Sequence, residues 1–150
     1  MGILNTPWKK PLALAVALAA ATGAPTLWWL LHQQHLPTEA IATAQAFVRD
    51  VEQRDYAAAF GRTLAGPATG TTPLQLQTNA QRQLCPPARL DYTLPFQSHG
   101  NRLRRWAAGR TLDEPQVRVE FVGSPCLFGI TLRRAADGQW KVVGFASHAG

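Results

Sequence analysis

The sequence predicts an α+β protein: an N-terminal transmembrane helix, then helices packed on an antiparallel sheet. Three observations predict it. Pro11 to Leu31, "PLALAVALAAATGAPTLWWLL", runs 21 residues without a charged side chain. Apolar residues between Ile41 and Leu84 recur every three or four positions, whereas beyond Asp91 they recur every two. Asp137-Gly138, a strong hairpin signal, separates two alternating apolar segments. Helices first and hairpin-linked strands afterwards is the α+β layer pattern.

The charge-free run fits a bilayer. At about 1.5 Å per residue it covers about 30 Å, the thickness of the hydrocarbon core. Lys9 and Lys10 precede it with no acidic residue before them, so residues 1–10 are assigned to the cytoplasm and 11–31 to the span. Trp28 and Trp29 stand at its far end, where indoles favour the water–lipid interface. Residues 32–37, beginning His32-Gln33-Gln34-His35, form a polar linker. The alternative is a secretory signal cleaved after the small residues Ala19-Ala20-Ala21. Against it, the apolar run continues to Leu31 and cleavage would leave that segment exposed. No Cys lies near the run, which excludes a lipid-modified anchor. Both readings export the remaining domain of about 120 residues, ordinary for a single core.

Export gives the two cysteines a meaning. Cys85 and Cys126 are an even pair, and in an oxidising compartment a disulfide is expected, with two buried free thiols as the alternative. Without a CxxC or a nearby His, a metal or catalytic role is not expected. The formal charge is +6, but outside Lys9 and Lys10 there are thirteen basic against nine acidic residues. That excess is mild, and a domain outside the cytoplasm seldom meets nucleic acid. An anionic lipid surface remains a possible partner.

In residues 38–147, Thr38 is the expected N-cap of a first helix with Glu39 in its first turn. Ile41, Ala44, Phe47, Val48 and Val51 form its apolar face. Asp55 caps a second helix over "YAAAFGRTL", and a third is expected over residues 73–85, ended by Pro86-Pro87. "DYTLPF" reads as a short strand and "NRLRRWA" as an exposed edge strand. On such a strand Arg102 and Arg104 share a face with Trp106, and Arg105 shares one with Leu103. Val117, Val119 and Phe121 alternate with Arg118 and Glu120, and Cys126, Phe128, Ile130 and Leu132 alternate with Leu127, Gly129, Thr131 and Arg133. The closing strand places Trp140, Val142, Gly144 and Ala146 on one face, and its apolar faces predict a central or doubly covered position.

"AIATAQAFVRDVEQRDYAAAF" (Ala40 to Phe60) and "DGQWKVVGF" (Asp137 to Phe145) resemble the nuclear-transport-factor-2-like superfamily, and within it the small exported bacterial domains. Phe47, Val48, Val51, Asp55, Tyr56 and Phe60 match the helical part of the pattern, and Trp140, Val142 and Phe145 the last strand. Arg54 stands where Gly is usual. The resemblance implies a cone, a curved antiparallel sheet around the first helix with a pocket in its mouth. It implies no single chemistry, because the superfamily hosts enzymes, transport factors and secretion scaffolds.

Enzymes of that superfamily place an Asp or a His–Asp pair inside the cone, which makes Asp91, Tyr92, His99 and Tyr56 the candidates. Asp91-Tyr92 begins a strand, so one of the two is expected to point inward. His32 and His35 are spaced to hold a metal weakly, with no third ligand nearby, so no metal and no cofactor is expected. His148 is expected in a mobile tail. "RLRRWAAGR", with Arg102, Arg104, Arg105, Trp106 and Arg110, is the densest basic patch, either a solvated edge or a surface for lipid headgroups or an acidic partner. The reading that follows is a non-catalytic, single-pass inner-membrane protein of bacteria whose periplasmic domain is a scaffold or accessory subunit. Its expected partners are the membrane, other envelope proteins and, in a homo-oligomer, a second copy. The alternatives are a lipid- or small-molecule-binding module using the cone pocket and, last, an isomerase- or cyclase-type enzyme.

Overall fold

A computed structural model describes residues 23–85 and 88–148. Lys9, Lys10 and most of the charge-free run lie outside the described residues. Among the described residues no helix is long and apolar enough to cross a membrane. Residues 23–32, the end of the run together with His32, are helical (α1). It is followed by α2 (Thr38–Glu52), α3 (Tyr56–Gly61), α4 (Pro73–Gln83), β1 (Arg89–Leu94), α5 (His99–Ala107), β2 (Gln116–Val122), β3 (Leu127–Arg134) and β4 (Trp140–His148). The strands form one antiparallel sheet in the order β1-β2-β3-β4, and α2 packs across β2, β3 and β4. The α+β expectation is met.

The first helix forms as its pattern requires. Ala40, Ala44, Phe47, Val48 and Val51 recur at helical spacing and are all buried. Its start is one residue early: Pro37 occupies the cap position, its carbonyl accepts from Ile41 N at 3.0 Å, and Thr38 is already helical. Its end explains the departure at Arg54. That residue has φ of 60°, the left-handed conformation that usually falls to Gly just past a helix. Asp55 then caps α3, accepting from Ala58 N at 2.9 Å. Instead of extending to Leu64, α3 stops at Gly61 so that the chain can run beside β4, with Val142 N donating to Arg62 O at 2.9 Å and Leu64 N to Val142 O at 2.8 Å. Thr72 caps α4, which ends at Gln83, two residues short of Cys85.

One core joins these layers. Phe47 meets Phe145 with ring centroids 5.7 Å apart, and Phe121 stacks on Phe128 at 5.4 Å. Val117, Val119, Ile130, Leu132, Trp140 and Val142 complete the sheet side, and Ala59, Leu76 and Ala80 the helix side. Asp137-Gly138 sits in the β3–β4 turn, where Ala135 N donates to Gln139 O at 2.8 Å.

Several expectations need correction. In β4 the register shifts, because Thr131 pairs with Gly144 while Leu132 pairs with Val142. Val143 is the extra residue, so the inward face passes from Val142 to Phe145 rather than to Gly144 and Ala146. β4 is also an edge strand, not a central one; its outer edge is partly occupied by residues 62–64. β1 covers residues 89–94 rather than 91–96, since Pro95 has no N–H for the ladder. A register shift between Leu90 and Thr93 leaves both Asp91 and Tyr92 exposed, so neither points inward. "NRLRRWA" is helical, not an edge strand: Ser98 accepts from Asn101 N at 3.2 Å and opens α5. His148 ends β4, with its imidazole against Arg118 and Glu120, and is no loose tail.

Cys85 and Cys126 form a disulfide with Cα atoms 6.0 Å apart, and both pack against the core. The chain at Cys85 crosses the β2–β3 turn so closely that a Cβ at position 123 would collide with the Cys85 carbonyl oxygen. Only Gly fits there.

Candidate functional site

The basic patch divides in two once it is helical. Side chains stepping by about 100° turn Arg102 and Arg105 to one side of α5. There Arg102 Nε donates to Asp113 Oδ1 at 2.9 Å, and Arg105 Nη1 to Glu114 Oε1 at 2.8 Å. Arg105 also donates to the carbonyls of Thr111 and Asp113, which fastens the loop after the helix. The other members stay outside. Arg104 donates to Asn101 on its own helix, Arg110 is exposed, and Trp106 is 64% exposed. Of the three residues expected to share a face, Arg102 and Trp106 still lie on neighbouring positions, four residues apart, whereas Arg104 turns away, because the expectation assumed a two-residue period.

No residue of α5 is buried, although the helix has a distinct apolar arc. Gly100, Leu103, Trp106 and Ala107 lie within it, and Leu103 is 50% exposed. Gly100 touches the end of α1: a Cβ there would come within 3.0 Å of the Leu31 carbonyl oxygen. Residues 33–35 pair with 97–99 through His99 N to Gln33 O at 3.1 Å and His35 N to Gln97 O at 2.7 Å. The segment after the apolar run is thus hydrogen-bonded to the approach and start of α5. α1 itself displays Leu27, Trp28, Trp29 and Leu30, all strongly exposed.

A polar knot holds this joint. Asp113 lies 3.4 Å from His35 Nε2 and 3.7 Å from Arg134, which also reaches Glu39 at 3.1 Å and stacks over Trp140 at 5.1 Å. These groups line a cleft of 180 Å³ with Arg102. Partial burial, helped by the Arg102 charge, lowers the His35 pKa below its ordinary value, outweighing the Asp113 carboxylate that raises it. His99 touches His35 edge-on at 5.7 Å and also lowers it. Asp113 and Glu114 were missed in the sequence. The signal was there: two acids follow Arg102 and Arg105, whose i, i+3 spacing suits one helix face.

The catalytic candidates do not converge. Asp91 and Tyr92 line a 310 Å³ cleft on the sheet's outer face with Arg118, Glu120, Leu127 and His148, where Arg118 and His148 both pair with the buried Glu120 carboxylate. Tyr56 packs against the core, and His99 stands at the α1–α5 joint. His32 Nδ1 lies 2.7 Å from the Trp28 carbonyl while His35 turns to Asp113, so the two do not act as a pair. Among the described residues no group of three or more His, Cys, Asp or Glu is placed to hold a metal ion. Comparison with known protein families, curated proteins and solved structures returns no match.

Proposed function

We propose that this chain is a single-pass inner-membrane protein whose extracytoplasmic domain is a non-catalytic scaffold or accessory subunit of an envelope assembly. The span is residues 11–31, and the domain is of the nuclear-transport-factor-2-like kind that its motifs resemble. One observation carries the non-catalytic part. The space between helices and sheet is filled by apolar side chains, with Phe47, Phe128, Ile130, Leu132 and Val142 fully buried, while Asp91, Tyr92 and His99 lie outside it and apart. The Cys85–Cys126 disulfide favours an oxidising compartment.

The test is native mass spectrometry of the chain purified from membranes in mild detergent. A stoichiometric complex with another envelope protein is expected. A chain carrying only a bound small molecule would instead favour the ligand-binding alternative.

A further inference from the structure

We propose that α5 is an interfacial helix whose exposed apolar arc lies in the surface of an anionic bilayer, beside the point where α1 leaves it. The proposal rests on the anchored reading above. Four observations on the helix carry it. α5 is amphipathic yet buries no residue, so among the described residues its apolar arc is left largely uncovered beyond Gly100. The arc begins at Gly100 against Leu31, the last residue of the charge-free run, and extends through Leu103 to Trp106. Arg104 and Arg110 stand exposed around it, and the helix holds no acidic residue. Arg102, at the edge of the arc beside Trp106, and Arg105, further round the helix, are tied to Asp113 and Glu114 and fasten α5 to the domain, so the arc has a fixed aim.

A bilayer is the occupant that fits this arrangement. An aromatic and a leucine between arginines is the composition of a helix lying at the acyl–headgroup boundary, with the guanidinium groups at the phosphates. Continuity with α1 supplies the surface. A protein partner would need its own reason to seat against the emerging span.

The full-length chain carrying Leu103→Cys with a nitroxide label is reconstituted into vesicles of phosphatidylcholine with or without phosphatidylglycerol. Leu103 is exposed, so the substitution leaves the core intact. In the anionic vesicles the label is expected to be relaxed by oxygen and shielded from a water-soluble nickel complex. A label at Gln139, in the β3–β4 turn, is expected to stay accessible to nickel. The double variant Arg104→Gln/Arg110→Gln should return the Leu103 label toward water, each arginine near the surface contributing about fivefold to binding. A Leu103 label open to nickel in anionic vesicles overturns the proposal, as does one shielded from both reagents, which marks protein contact. Alkaline carbonate extraction of the same vesicles separates the two readings. A chain that stays in the pellet with a water-exposed label is anchored without the α5 contact. A chain released by carbonate after showing a lipid-exposed label has the contact without the anchor.

Discussion

Helices α2 and α5 are both amphipathic, and they meet opposite fates. α2 lays Ala40, Ala44, Phe47, Val48 and Val51 on the sheet and buries all five. α5 fastens itself to the domain by its arginines and leaves Leu103 and Trp106 outside. In the first, burial of apolar area holds the helix, at about 25 cal/mol per Å² removed from water. In the second, ion pairs and backbone bonds hold it, and its apolar arc is spare. An apolar stripe therefore announces that something covers it and does not say what.

The contrast can be broken most sharply at Phe47. Phe47→Ala removes a fully buried ring and is expected to destabilise the domain by about 3–5 kcal/mol, read as a lower denaturant midpoint. A loss below about 1 kcal/mol would mean that α2 is not the helix that builds the core. Replacing both Cys85 and Cys126 by Ser comes next. The bridge closes a separation of 41 residues, so up to about 4 kcal/mol should be lost, and the same loss should follow reduction of the native chain.

Arg54→Gly acts in the other direction. Relief of the left-handed strain at the end of α2 should raise stability by about 1 kcal/mol. An unchanged or lower melting temperature would show that the Arg54 side chain repays its backbone.

The joint between the two regions carries a smaller, pH-dependent effect. His35 has a lowered pKa in the fold, chiefly through burial and then through Arg102. Its contribution is therefore complete above its ordinary value of 6.5 and is lost as pH falls through the lowered value. Asp113→Asn removes the group that raises the pKa, so the His35 ring resonances should titrate at still lower pH. A titration moved upward would contradict the pairing.

The smallest effect is expected on α5 itself. Trp106→Ala should change the stability of the domain in detergent by no more than about 0.5 kcal/mol, since the ring touches no core. A loss comparable to that of Phe47→Ala would erase the comparison.

The layers were legible in the sequence because periodicity reports burial, and the core is continuous through α2, β2 and β3. Asp55 as a cap, Asp137-Gly138 as a turn and the Cys85–Cys126 pair were equally readable, each being set by its own chemistry. What failed was set by neighbours. The bulges at Asp91-Tyr92 and Val143 are register events that no single strand announces, and they turned Asp91 outward and Phe145 inward. α5 read as a strand edge because Arg-rich segments show no apolar alternation to contradict it. Its helix became visible only when Ser98 capped it and Asp113 and Glu114 received Arg102 and Arg105. The candidate site followed the same rule. The arginines and Trp106 stood out by type, whereas the joint with α1 depended on backbone pairing between 33–35 and 97–99.

The proposed domain is anchored in the membrane and held outside the cytoplasm. Alkaline phosphatase, which needs its own disulfides, fused after His148 and expressed in a bacterium tests it most directly. An active enzyme that stays with the membrane pellet after carbonate extraction as an uncleaved fusion is expected. An inactive fusion would place the domain in the cytoplasm, and active enzyme released as a soluble chain shortened by about 20 residues would replace the anchor with a cleaved signal.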